Sequence, residues 1–152
     1  MIVEYVLGFA FSTDKSRVML IKKTHPAWQA GKLNGIGGHV EDGEKFHQAM
    51  RREFEEETGV RCASWDYCLQ LRDPGDHYIM RVYMTVLSDD KYEACSSMTE
   101  EKLVDTFIAN IVPSQCVYNL RWIVPMLLDS VVFPVMMMYD DMPGDTGEKK
   151  KC

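Results

Sequence analysis

The sequence has no paired-cysteine signature, no membrane-length apolar run and no surplus of positive charge, and each absence removes a class of protein. Its five cysteines are Cys62, Cys68, Cys95, Cys116 and Cys152. They include no CxxC pair, and their number is odd, which argues against a closed disulfide framework and against a cysteine-based zinc site. They read as reduced thiols of a cytoplasmic protein, most of them small buried apolar groups. No apolar stretch approaches bilayer thickness, so no membrane span is expected. The start, Met1-Ile2-Val3-Glu4-Tyr5, lacks the basic segment, apolar stretch and small-residue cleavage site of a signal peptide. Lys+Arg number 17 against 23 Asp+Glu, a formal net charge of -6, so no global basic field attracts a nucleic acid polymer or an anionic membrane. A small anionic ligand must instead meet local positive charge or a bound cation. His25, His39, His47 and His77 have no mutual metal-ligand spacing and suit surface or packing roles.

What remains is a chain of 152 residues, sized for one α/β domain, here read over 1–139, with a polar tail at 140–152 expected to be disordered. Apolar and aromatic residues over 2–11 and the run RVMLIKK at 17–23 read as strands around a turn at Asp14-Lys15. Residues 24–43 are glycine-rich and irregular, with a short strand near 33–37. Residues 44–58 show helical periodicity and stop at Gly59. Further strands are predicted at 62–72 and 77–87 around the turn Asp73-Pro74-Gly75-Asp76, then a polar loop over 88–101 and a strand at 102–108. A second helix is predicted over 114–130 despite Pro125. The apolar run 131–138 fits a last strand, a packed extension or a homodimer contact.

The first helix carries the chemistry. At 3.6 residues per turn, Phe46, Ala49, Met50 and Phe54 form its apolar face, and Lys45, Gln48, Arg51, Arg52 and Glu55 its polar side. Glu53, Glu56 and Glu57 stand at i, i+3 and i+4 and continue the apolar stripe rather than the polar side. Like charges at these spacings repel, and acids in the last turn oppose the negative end of the helix dipole. Broken local rules are expected where function is built, and a hard divalent cation resolves the conflict, because carboxylate oxygens are its preferred ligands. A solvated acidic face is the plainer reading of three glutamates, but the wheel puts them on the wrong side for it. Gly37 and Gly38, ahead of the helix, allow the backbone to approach a ligand closely. Lys22 and Lys23 close the second predicted strand beside this loop; one is a candidate point charge for phosphate, and two solvated lysines are the simpler alternative.

Gly38, Glu44, Arg52, Glu53, Phe54, Glu56, Glu57, Gly59 and Val60 stand in the order and spacing G-x5-E-x7-R-E-U-x-E-E-x-G-U, with U apolar. In this the chain resembles the Nudix hydrolases, whose box this pattern is. The resemblance implies an α/β/α sandwich around a mixed β-sheet and hydrolysis of a nucleoside diphosphate linked to another group. It implies that Glu53, Glu56 and Glu57 hold magnesium, or manganese in its place, together with the Gly37 carbonyl. It implies that Glu53 shares in activating water, that Arg52 and Glu44 form an orienting ion pair, and that Gly38 answers a backbone requirement at the substrate. An additional acidic ligand often follows the box in this family, which makes Glu100 and Glu101 candidates.

The run Asn34-Gly35-Ile36-Gly37-Gly38 is similar to the Asn-Gly-aromatic-Gly-Gly segment of oxidised purine nucleoside triphosphatases in the family. Ile36 replaces the aromatic residue, and the Trp-Pro-Asp-Asp base-reading segment is missing near Val112-Pro113-Ser114-Gln115. Asn34 becomes a candidate contact to a purine base, with a turn-capping role as its structural alternative. The expected substrate is a small nucleotide, a purine nucleoside triphosphate cleaved to monophosphate and diphosphate. An ADP-sugar diphosphatase and a nucleotide-sensing domain without turnover are the alternatives.

Overall fold

The structure is a computed structural model that describes residues 1–129 and 135–138; the tail 140–152 lies outside the described residues. In chain order the elements are β1 (Val3–Phe11), β2 (Arg17–Lys22), β3 (Leu33–Asn34), β4 (Ile36–His39), α1 (Phe46–Thr58), β5 (Asp66–Arg72), β6 (Tyr78–Val86), α2 (Asp89–Ala94), β7 (Lys102–Phe107), α3 (Leu120–Leu128) and β8 (Val135–Met138). The sheet runs β3-β2-β1-β6-β5-β8, with β4 also paired to β1 and β7 to β2. It is mixed: β1 lies parallel to β6 and β5 to β8, and the remaining pairings are antiparallel.

Both faces of the sheet are buried, which explains the nearly continuous apolar runs of β1 and β2. Side chains alternate across a strand, so Leu7, Phe9, Phe11, Val18 and Leu20 face a core completed by Leu120, Ile123, Val124 and Leu127 of α3. Val6, Ala10, Met19 and Ile21 face the opposite core, closed by Ala49, Met50 and Phe54 of α1. Helix, sheet and helix form an α/β/α sandwich. The helix α1 starts where the Gln48 Oε1 accepts the Lys45 backbone N–H at 2.9 Å. It ends at Gly59, whose φ of 74° only glycine adopts at little cost, its N–H donating to the Glu55 carbonyl.

Four expectations are corrected. Residues 88–101 are not all loop, because α2 forms over 89–94. Its Tyr92 is buried, its hydroxyl donates to Asp105, and the Arg17 guanidinium lies 4.8 Å over its ring. The strand expected from 62 begins at Asp66. Over 62–65, side chains take the backbone carbonyls: Trp65 Nε1 donates to Cys62 O, Arg51 Nε to Ala63 O and Thr85 Oγ to Ser64 O. The helix expected over 114–130 is shortened to Leu120–Leu128, because the Val117 N–H donates to the Leu33 carbonyl and holds 116–117 extended against β3. The short strand near 33–37 is two strands, β3 and β4, that pair with different partners. Within 131–138, residues 135–138 form β8 against β5.

Candidate active site

Arg52 organises the mouth of the site. Its Nε and Nη2 each donate to the Glu44 carboxylate at 2.9 Å, a two-point grip, and Nη2 also reaches the His39 carbonyl at 2.9 Å. Its Nη1 donates to Glu53 at 2.8 Å and to Glu56 at 3.3 Å. The guanidinium thus clamps the end of β4, the loop before α1 and the acidic face of α1. It holds Glu44 below the ordinary carboxylate range. Glu53 responds oppositely: burial raises its proton affinity, and Arg52 only partly offsets this. The Arg52 side chain is 24% exposed, against 13% for Glu53 and 55% for Glu56.

These exposures correct the helical wheel twice. Arg52 belongs to the site and not to the solvated side, and Glu56 is exposed and does not point inward. The cause is angular. Glu56 lies between Arg52 and Glu53 around the helix, at the border of the buried stripe, where the clamp holds it. Glu57, one step further round, accepts a 2.8 Å hydrogen bond from Thr99 Oγ.

Beyond the carboxylates lies a cavity of about 740 Å³, lined among others by Glu53, Glu57, Gly37, Gly38, Asn34 and Glu101. One wall is aromatic: the rings of Tyr5 and His39 stand 4.5 Å apart and those of Tyr5 and Tyr78 6.2 Å apart. Trp28 and Gln29 line another part. A Cβ on Gly38 would overlap the Glu53 carboxylate, and one on Gly37 would overlap the Val6 carbonyl of β1. The two glycines are therefore required for different reasons, one by the site and one by the sheet. Gly38→Ala should cost activity at nearly unchanged melting temperature, since a flexible carboxylate can move aside. Gly37→Ala should lower the melting temperature, since a strand cannot. Paired melting and turnover measurements check this, and equal effects from both would refute the assignment.

Lys23 and Glu101 meet in a buried ion pair at 2.9 Å, their side chains 16% and 6% exposed. Glu101 Oε2 also accepts the Thr24 N–H at 2.8 Å. Both residues line the cavity, but each already has a partner. Glu100 lines it too, with a side chain 78% exposed and 3.9 Å from His25. Asn34 is buried, with Oδ1 accepting the Gly35 N–H at 2.8 Å and Nδ2 donating to Gln29 Oε1 at 3.2 Å. The turn-capping bond expected as its alternative role is thus present, while the side chain also lines the cavity. Ile36 is fully buried under α1, so its departure from an aromatic residue does not reach the cavity. None of Val112, Pro113, Ser114 and Gln115 lines the cavity.

A family model for the NUDIX domain matches residues 4–107. The chain belongs to the Nudix hydrolase family. The Nudix box is the loop from Gly38, helix α1 and Gly59-Val60, and the clamp of Arg52 on Glu44 joins its loop to its helix. An oxidized purine nucleoside triphosphate hydrolase of Danio rerio is 40% identical over 60 residues, which cover 40% of this chain and 38% of that protein. The Nudix domain of Shewanella oneidensis NrtR, solved with ADP ribose, superposes with a TM-score of 0.70 at 17% identity, covering 84% of this chain and 87% of that one. A MutT protein of Bacillus halodurans gives 0.67 at 18% identity, covering 91% of each chain. At such identities the superpositions establish the shared fold.

Several cavity residues carry no sequence signal. Tyr5 and Tyr78 sit in strands whose alternation gives a face but not a neighbour, and the parallel pairing of β1 with β6 is what brings them together. Trp28 and Gln29 lie in the irregular segment, where no period exists to read. Thr99 lies in the polar loop segment, where no periodicity gives it a direction, and its bond to Glu57 places it at the cavity.

Proposed function

We propose that this Nudix domain hydrolyses a purine nucleoside triphosphate, oxidised purines included, to the monophosphate and diphosphate, with magnesium as its cation and manganese as a substitute. The observation that carries the reading is the acidic end of α1 at the cavity: Glu53 buried with its ionised form disfavoured, Glu57 beside it in the wall, and Glu56 at the rim. The partial identity with the Danio rerio purine nucleotide hydrolase supports the substrate class.

The residues fit a hard divalent cation. Every candidate donor is an oxygen: the carboxylates of Glu53, Glu56 and Glu57 and the Gly37 carbonyl. Among the described residues no three acidic, imidazole or thiol groups already form a complete cage. Magnesium needs none, since it keeps several waters and takes one or two carboxylates with phosphate oxygens. When bound, it neutralises phosphate oxygens and lowers the pKa of a coordinated water. Arg52 fixes Glu53 Oε1 at 2.8 Å, which leaves Oε2 to accept a proton from the attacking water. Thr99 orients Glu57, and the cavity beyond receives the nucleoside. Positioning and charge supply most phosphoryl-transfer catalysis.

The test is a panel of nucleotides with magnesium, products resolved by chromatography. Expected is conversion of a purine triphosphate to monophosphate and diphosphate, abolished by excess chelator and restored by magnesium or manganese. The same cations should raise the melting temperature by mass action. Full activity in chelator would overturn the mechanism. Preference for ADP-ribose over every triphosphate would replace the substrate, and nucleotide binding without turnover would make the domain a sensor.

A further inference from the structure

Two side-chain amides in the cavity wall form a relay whose polarity the backbone fixes. The Gly35 N–H can only donate, so the group it meets on Asn34 must be the oxygen, Oδ1. That turns the Asn34 nitrogen toward Gln29, and an amide nitrogen can only donate, so Gln29 must answer with its own oxygen, Oε1. One hydrogen bond from β4 thereby settles the orientation of both amides. Gln29 lines the cavity, and among the described residues no acceptor takes the hydrogens of its Nε2.

We propose that Gln29 is a specificity-determining residue that presents a fixed amide donor to the nucleobase and selects bases with a carbonyl oxygen over bases with an amino group at the same position. The inference rests on the nucleotide-hydrolase reading above and deepens it, moving base discrimination from Asn34 to the residue Asn34 orients. A carbonyl oxygen accepts from Nε2. An exocyclic amino group offers only donors and leaves both groups without a partner, a mismatch that buried sites reject strongly. The donor cannot become an acceptor by flipping, because a flipped Gln29 would set its nitrogen against the Asn34 nitrogen. Gln29 stands beside Trp28 in the segment that folds back on β2 through the Gly31 N–H to Lys23 O bond. The segment's backbone is therefore anchored independently of the amide.

The experiment compares kcat/KM for inosine triphosphate and adenosine triphosphate, which differ at the oxo and amino position of the purine. Wild-type protein should favour the inosine nucleotide by about ten-fold or more. Gln29→Glu keeps an acceptor for Asn34 but removes the outward donor, and should reverse the order. Gln29→Met keeps the length and should bring the two rates within about three-fold of each other. Asn34→Ala frees the amide to flip and should lower the discrimination in the same direction. An unchanged ratio in Gln29→Glu and Gln29→Met, at wild-type melting temperature, would overturn the proposal while leaving the nucleotide-hydrolase reading intact. A wild-type enzyme that prefers the adenosine nucleotide would overturn it as well. Absence of turnover with every nucleotide would instead remove the reading on which it rests.

Discussion

Glu53→Gln should lower kcat/KM by about 10²–10⁴-fold, the range a positioned proton acceptor contributes, while Glu55→Gln changes it little. Both variants remove one charge from α1, so a general electrostatic effect would make them alike. Their surroundings differ. Glu53 is 13% exposed, in the cavity wall and bonded to Arg52, whereas Glu55 faces solvent and pairs with the exposed Arg61. The stability of the metal-free protein separates catalysis from folding. Because burial disfavours the ionised form of Glu53, a neutral amide of the same shape should not lower the metal-free melting temperature. The rise in melting temperature on adding magnesium should be lost, because a ligand has gone. Melting curves with and without magnesium, beside kinetics, check all three statements. A Glu53→Gln protein that melts early and still responds to magnesium would assign Glu53 to structure.

Arg52→Ala should be the most damaging substitution to fold and function together. The guanidinium makes five hydrogen bonds, to Glu44, Glu53, Glu56 and the His39 carbonyl. Its removal leaves Glu44 and Glu53, 15% and 13% exposed, as poorly hydrated carboxylates without their cation. Breaking one side of a buried pair costs roughly 3–5 kcal/mol, and with Arg52 24% exposed solvent screening brings the cost below that range. A loss of about 2–3 kcal/mol corresponds to a fall of roughly 5–10 °C for a domain of this size. Activity should fall further than stability, since the clamp also sets Glu53 Oε1. Arg52→Lys keeps the charge but cannot grip Glu44 at two points, so it should recover much of the melting temperature and little of the turnover. Equal recovery of both would show that charge alone suffices.

Much of the acidic face of α1 was legible in the sequence because its signals are local. The spacing of Glu53, Glu56 and Glu57 and the stop at Gly59 lie within one helix and its end, where 3.6-residue periodicity converts position into direction, whereas the pairing of Arg52 with Glu44 was implied by the resemblance to the Nudix box. Even there the wheel misplaced Arg52 and Glu56. Angle around an axis says which residues share a side, but the border of that side is drawn by what packs against it. Here β4 and the preceding loop draw Arg52 inward, and the clamp keeps Glu56 at the rim. The burial of β1 was likewise written in its nearly continuous apolar run.

The cavity was decided by the tertiary structure alone. Tyr5 and Tyr78 become neighbours through the parallel register of β1 and β6, and Lys23 meets Glu101 across the antiparallel pairing of β2 with β7. Thr99 reaches Glu57 because the segment after α2 is bonded to the end of α1, Ser96 N–H to Thr58 O and Met98 N–H to Glu57 O. The amides of Asn34 and Gln29 acquire their polarity from one backbone hydrogen bond at Gly35. A sequence states which groups are present and, within one element, which way they face. Contacts between elements depend on strand order and register, which no local pattern encodes, and so the acidic face of the helix could be read directly while the shape of the cavity beside it could not.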